Sequence, residues 1–192
     1  MKKLILLAAI AVSTVSTSFA QGEVHFGAKA GVNVASIGGD AYLGGGFGSF
    51  GSRVSFHVGG LVEVPITEKI SVQPEILYSS QGSNWDFTGA GDIQLDYVNF
   101  PIMGKYHIIE GLSGELGPVI GVLIKADQSG VDVKDSYKST DIAIGIGATY
   151  RLPMGVFFSL RYNKGITDIN DVSGYTYSNQ NNVFQVSAGF SI

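Results

Sequence analysis

The chain ends in Val183-Phe184-Gln185-Val186-Ser187-Ala188-Gly189-Phe190-Ser191-Ile192, and this stretch decides the fold. Large apolar residues alternate with small or polar ones, so a β-strand here would have one apolar face and one polar face. The apolar face would carry Phe184, Val186, Ala188, Phe190 and Ile192. A stretch of this length, roughly 9–11 residues, is what a tilted strand needs to cross a bilayer.

The same alternation recurs upstream and predicts eight strands. They are Val24–Ser36, Val54–Val64, Lys69–Ser80, Leu95–Ile108, Leu112–Lys125, Asp141–Leu152, Val156–Asn163 and Val183–Ile192. The connections between them alternate strictly in length. The short turns are Pro65–Glu68, Ile109–Gly111 and Pro153–Gly155, and the long links are Ile37–Arg53, Gln81–Gln94, Ala126–Thr140 and Lys164–Asn182. This rhythm is typical of a transmembrane barrel with short periplasmic turns and long outer loops. The predicted fold class is therefore all-β, an eight-stranded antiparallel up-and-down transmembrane β-barrel.

The composition excludes several other classes. Glycine accounts for 27 of 192 residues and charged residues for 15%, while 45% of the chain is hydrophobic and the mean hydropathy is +0.24. This is too apolar for a disordered chain and too rich in glycine for a helical bundle. The net charge of −4 offers no basic footprint for nucleic acid, and the absence of cysteine excludes disulfides and thiolate metal sites.

The N-terminus has the three parts of a secretory signal peptide. Lys2 and Lys3 precede the apolar stretch Leu4–Val12, and Ser18-Phe19-Ala20 places small residues where a signal peptidase requires them. We therefore predict a signal peptide at residues 1–20 and one barrel domain at residues 21–192.

Residue parity predicts which face of the barrel meets lipid. All seven mid-strand charges fall on the small, polar face: Lys29, Glu63, Glu75, Lys105, Glu115, Arg151 and Arg161. A lysine or arginine facing lipid near the bilayer midplane costs about 2–4 kcal/mol, so this face must point inward. An eight-stranded barrel is just wide enough for side chains to fill, which predicts a network of ion pairs that plugs the lumen. A proton or ion path, or a set of catalytic carboxylates, remains an alternative for the same residues.

Other chemical signals are weak. His25, His57 and His107 share the polar parity but lie on different strands and lack a ligand spacing such as H-E-x-x-H. Asp168, Asn170 and Asp171 miss the EF-hand calcium template and are better interpreted as a polar turn. We therefore expect no enzyme activity, no catalytic residues, no cofactor and no metal site. Four tyrosines near strand ends would form an aromatic girdle on the outer face: Tyr78, Tyr106, Tyr150 and Tyr162.

Four stretches together resemble a bacterial family. They are Lys29-Ala30-Gly31-Val32-Asn33, Ser71 to Gly82 (SVQPEILYSSQG), Leu95 to Ile102 (LDYVNFPI) and Arg161 to Ile169 (RYNKGITDI). The chain resembles the outer membrane protein beta-barrel domain family, also called porin-family proteins, with PorT-like members. The resemblance implies an OmpX- or OmpA-like barrel that resides in the bacterial outer membrane, contacts its lipid and is inserted by the barrel-assembly machinery. It carries over no catalytic residues.

Two functions are consistent with these observations. The first is an integral barrel that acts structurally, or binds an envelope or extracellular protein partner through its four long loops, because binding residues concentrate on loops held by a rigid scaffold. The alternative is a narrow pore for small solutes. A soluble ligand-binding barrel is disfavoured because it would expose an apolar face far larger than soluble monomers tolerate. No nucleic-acid partner is expected.

Overall fold

A computed structural model of the protein describes residues 23–39, 51–84, 92–171 and 178–192. The predicted signal peptide lies outside the described residues. So do the glycine-rich stretches Gly44–Gly48 and Gly89–Gly91 of two long links. Among the residues described, no helix is long and apolar enough to cross a membrane.

One antiparallel sheet contains all the strands and closes on itself. The long strands are β1 (His25–Gly39), β2 (Gly51–Pro65), β3 (Ile70–Asn84), β4 (Asp92–Ile109), β5 (Leu112–Gln128), β7 (Thr140–Arg151), β8 (Val156–Gly165) and β9 (Asn179–Ser191). Their order is β4-β3-β2-β1-β9-β8-β7-β5, and β4 pairs with β5 to complete the barrel. A two-residue strand, β6 (Val131–Asp132), pairs with the end of β5, and a single-turn 3-10 helix follows at Lys134–Ser136. The predicted eight-stranded barrel is confirmed.

Every long strand extends beyond its predicted bound at the end that bears the long links, by one residue in β7 and by two to four residues in the others. For example, β3 continues to Asn84 where Ser80 was the predicted end, and β9 begins at Asn179 where Val183 was the predicted start. The long links are correspondingly shorter than the predicted boundaries. Alternation of apolar residues marks only the part of a strand that faces lipid, whereas backbone pairing continues wherever a neighbouring strand is present.

The two faces of the barrel separate as the parity predicted. Every long strand carries large apolar residues on its outward face, and many are about half exposed, such as Phe56 at 54%, Ile146 at 58% and Phe158 at 53%. The tyrosines Tyr106 and Tyr150 also point outward near the short-turn end. This continuous apolar surface is the one that a bilayer would cover.

Glycine on the inner face makes room for larger lumen side chains. A Cβ atom at Gly189 would lie 2.2 Å from Cζ of Phe157, and one at Gly31 would lie 2.7 Å from Cε1 of His57. Neither position can carry a side chain without displacing the ring beside it. The abundance of glycine therefore follows in part from the narrowness of the lumen.

A bulge interrupts the pairing of β2 with β3. Between the pairs Ser52–Ser83 and His57–Ser79, β2 contains one residue more than β3, which locally disrupts the ladder. Side chains hydrogen-bond to the backbone at this point. Asn33 Nδ2 donates to the carbonyls of Phe56 (3.0 Å) and Ser80 (2.7 Å).

Candidate functional site: the barrel lumen

A central network of ion pairs crosses the middle of the lumen. We use this name for Lys29, Glu75, Glu115 and Arg161. Arg161 donates through Nη2 and Nη1 to the two carboxylate oxygens of Glu75 (2.7 and 2.9 Å) and through Nε to Glu115 (2.6 Å). Lys29 Nζ lies 2.7 Å from the same Glu75 carboxylate. All four side chains are buried, and their two positive and two negative charges balance, which is the condition under which buried charges persist.

A second group of charges lies at the short-turn end. Glu63 accepts from Lys105 Nζ (3.0 Å) and also pairs with Arg151, whose side chain is 25% exposed at the mouth of the barrel. Gln73 joins the two groups, because its Nε2 donates to Glu75 and its Oε1 accepts from Lys105. The structure thus brings all seven predicted lumen residues into one chain of contacts. Gln73 is a linking residue that parity alone did not single out.

A layer of neutral hydrogen bonds lies next to the central network. His57 is fully buried between Asn33 Oδ1 and Ser187 Oγ, each 2.8 Å from a ring nitrogen. His107 lies instead near Glu63, 3.3 Å from its carboxylate, and His25 begins β1 opposite Glu63 in the pairing of β1 with β2. His57 does not join these two histidines, and among the described residues no group of three or more His, Asp or Glu side chains could hold a metal ion.

The long-link end of the lumen contains an apolar core, which the predicted polar lumen does not include. We call the following buried residues the apolar cluster: Ile37, Ile93, Leu95, Tyr97, Leu123, Ala126 and Ile169. Val133 and Tyr137, from the connection between β5 and β7, pack against it. Because residues of a connection cover these inward side chains, they face protein and form a core.

Asp168 links the connection before β7 to the connection before β9 through hydrogen bonds. Its Oδ1 accepts from the backbone amides of Asn170 (3.2 Å) and Asn179 (2.9 Å), and its Oδ2 accepts from Lys138 Nζ (3.1 Å). The backbone amide of Lys138 in turn donates to the carbonyl of Ile169. We call this arrangement the Asp168 clamp. It is a polar turn, as the sequence suggested, and it places Ile169 in the apolar cluster.

The clamp stabilises the ionised form of Asp168. Partial burial alone would raise the pKa of this carboxyl group, but the amides of Asn179 and Asn170 and the ammonium of Lys138 favour the carboxylate. The balance holds the pKa of Asp168 below its usual value of 3.8.

The comparisons with known proteins identify the family. Residues 19–171 match the family model described as outer membrane protein beta-barrel domain. The chain therefore belongs to this family, and it is a bacterial outer-membrane barrel, as its sequence and its fold both indicate. No curated protein sequence matches the chain.

Solved structures show the same fold at low identity. The attachment invasion locus protein Ail of Yersinia pestis is 13% identical, with a TM-score of 0.52 over 89% of this chain and 100% of that one. Neisserial surface protein A is 16% identical, with a TM-score of 0.53 over 87% of this chain and 96% of that one. Ail has also been solved in complex with the heparin analogue sucrose octasulfate, at 16% identity and a TM-score of 0.50, over 89% of this chain and 100% of that one.

Proposed function

We propose that this protein is a closed, non-catalytic barrel whose rigid body presents its outer loops for binding an envelope or extracellular partner. The observation that carries the proposal is the layered filling of the lumen. The central network, the neutral hydrogen-bond layer and the apolar cluster follow one another along the barrel axis, and each is made of buried side chains. A solute that crossed the barrel would have to displace the side chains of all three layers.

The loops also have a fixed base. The Asp168 clamp joins the connection before β7 to the connection before β9, and strand pairing extends well beyond the apolar band on β3 and β4. A rigid base lowers the conformational entropy lost when a loop binds its partner. The Ail complex with sucrose octasulfate shows that a barrel of this fold can bind a ligand. For this chain it supports ligand or partner binding in general and does not identify the ligand.

The alternative, a narrow pore, is tested by conductance in planar bilayers. We expect the purified barrel to show no unitary current steps. A variant with Lys29, Glu75, Glu115 and Arg161 all changed to Ser removes the four charges of the central network together and serves as the positive control. Steady steps from the unchanged protein would contradict the closed barrel.

The binding role is tested by replacing loop segments. We expect residues 40–50 or 172–177, when replaced by Gly-Ser linkers, to abolish capture of a specific partner from an envelope extract while the barrel still folds. The matched control replaces residues 85–91 in another link. If every variant captures the same proteins as the unchanged chain, then the loops do not carry the function.

A further inference from the structure

A small polar cavity lies in the lumen between the central network and the apolar cluster. Its polar lining consists of Gln81, Asn99, Asp141, Asn163 and Asn181, from five different strands. We call this set the amide cage. The enclosed space has room for about one water-sized species. All five side chains are more than nine-tenths buried, so the cage is part of the interior.

The hydrogen-bond network fixes the orientation of Asn163. Backbone carbonyls can only accept, so Asn33 must direct Nδ2 at Phe56 and Ser80, which leaves its Oδ1 to accept from Gln185 Nε2 (2.9 Å). Gln185 Oε1 then accepts from Asn163 Nδ2 (3.1 Å). The oxygen of Asn163 is therefore the atom that faces the cavity, and it has no hydrogen-bond partner among the described residues.

A similar constraint orients Asn181. Its side chain hydrogen-bonds to the Asp141 carboxylate, which can only accept, and its Nδ2 also donates to Gln81 Oε1. The Oδ1 atom of Asn181 is buried and, within the described ranges, unpartnered. Two free amide oxygens thus line the same small cavity.

Asp141 adds a charge that no basic side chain balances. Its carboxylate is 8% exposed and accepts from Thr167 Oγ1 (2.9 Å). In the part of the chain that the structure describes, no Lys, Arg or His side chain forms an ion pair with it. Lys29 and Arg161, the cations of the central network, are bound to Glu75 and Glu115. A buried carboxylate without a cation is costly, and a bound cation would remove that cost.

We propose that the amide cage binds one monovalent metal cation, Na⁺ or K⁺, through the Asp141 carboxylate and the Oδ1 atoms of Asn163 and Asn181. Carboxylate and carbonyl oxygens are the ligands of hard cations, and a single positive charge neutralises the single negative one. Gly145 keeps the space open, because a Cβ there would lie 2.7 Å from Asn163 Oδ1. The sequence predicted no metal site, because amide ligands spread over separate strands form no recognisable spacing motif.

Thermal unfolding of the detergent-folded barrel tests the site. At equal ionic strength, we expect NaCl or KCl to raise the unfolding temperature above that in choline chloride, because a ligand that binds only the folded state stabilises it. Comparison of the two salts shows which ion fits better. Asp141→Asn removes the charge and should abolish the difference, and Gly145→Ala should reduce it by crowding the cage. Asp135→Asn, at an exposed carboxylate, is the matched control and should keep the full response.

Three outcomes would overturn the proposal. They are equal unfolding temperatures in all three salts, an unchanged response in a folded Asp141→Asn variant, and stabilisation by Ca²⁺ where monovalent ions have no effect. If Asp141→Asn does not fold, the unchanged protein decides: crystals grown in RbCl should show an anomalous peak in the cage. A cage without that peak, holding water only, would equally reject the cation site.

Discussion

Arg161 is buried in the lumen and bonds to two carboxylates at once. Its removal leaves Glu75 partly and Glu115 wholly without a cationic partner in a buried site. We expect Arg161→Met to destabilise the barrel by about 3–5 kcal/mol, the usual cost of breaking a buried ion pair from one side. Thermal unfolding in detergent measures the effect.

The control for Arg161 is its counterpart at the barrel mouth. Arg151→Met should cost less, because Glu63 keeps Lys105 and the Arg151 side chain is partly exposed. Adding Glu115→Gln to Arg161→Met should restore part of the lost stability, because Glu75 still pairs with Lys29 and Glu115 no longer carries an unpaired charge. Equal unfolding temperatures for Arg161→Met and the unchanged protein would show that the central network does not stabilise the fold.

The stability that the Asp168 clamp provides depends on pH. The pKa of Asp168 lies below its usual value of 3.8 in the folded protein, so the ionised carboxylate stabilises the fold above pH 3.8. This stabilisation is lost as the pH falls through the folded pKa. The amide proton of Asn179, which donates to this carboxylate, should shift in NMR spectra with a midpoint below 3.8. Asp168→Asn should eliminate the titration, and a midpoint above 3.8 would contradict the clamp.

At the scale of elements, side chains support the backbone at the bulge between β2 and β3. Asn33 donates to the carbonyls of Phe56 and Ser80, and Ser55 Oγ also donates to the carbonyl of Ser80. We expect Asn33→Ala to cost about 1–3 kcal/mol, because the Phe56 carbonyl loses its side-chain donor while Ser80 keeps the one from Ser55. Exchange of the amide protons in β2 and β3 should become faster near the bulge and stay unchanged in β7 and β8. Uniform protection throughout the barrel would argue against this role.

Much of the barrel could be predicted from the sequence, because lipid imposes the same alternation on every strand. The number of strands, their neighbours across short turns and the inward parity of residues such as Lys29 and Glu115 all follow from it. The partners of these charges could not be predicted, since they depend on which strands face each other across the lumen. Arg161, for example, meets Glu75 from a strand 86 positions earlier.

The apolar cluster and the amide cage could not be predicted from the sequence either, because both also depend on which segments face each other across the lumen. Leu95 belongs to β4 and Ile169 to the connection before β9, which are distant in sequence. The alternation placed Leu95 on the polar face, and Ile169 lay in a predicted long link. The outward residues all follow the same apolar pattern because all of them face lipid. The inward residues contact only one another, and their polarity changes from layer to layer along the barrel.

For the whole molecule, the apolar outer surface should determine membrane insertion. Ile146 lies in the middle of β7, is 58% exposed and pairs with Leu116 and Tyr162 on the neighbouring strands. We expect Ile146→Arg to destabilise the barrel in phospholipid vesicles, lowering its free energy of unfolding by about 2–4 kcal/mol. Lys164→Arg, an exposed position near the end of β8, is the control and should change little. An equal effect at both positions would contradict the proposed bilayer-facing surface.

The Asp168 clamp has a consequence for protein engineering. It holds Asn170 and Asn179 by their backbone amides to one carboxylate, so the chain leaves the barrel and returns to it at neighbouring, fixed points. A foreign peptide exchanged for residues 172–177 would begin and end at those points whatever its own sequence. The cost of closing such an insert grows only slowly with its length. With the long links outside the cell, as in the proposed function, the molecule would provide an attachment point for displaying peptides on the bacterial surface.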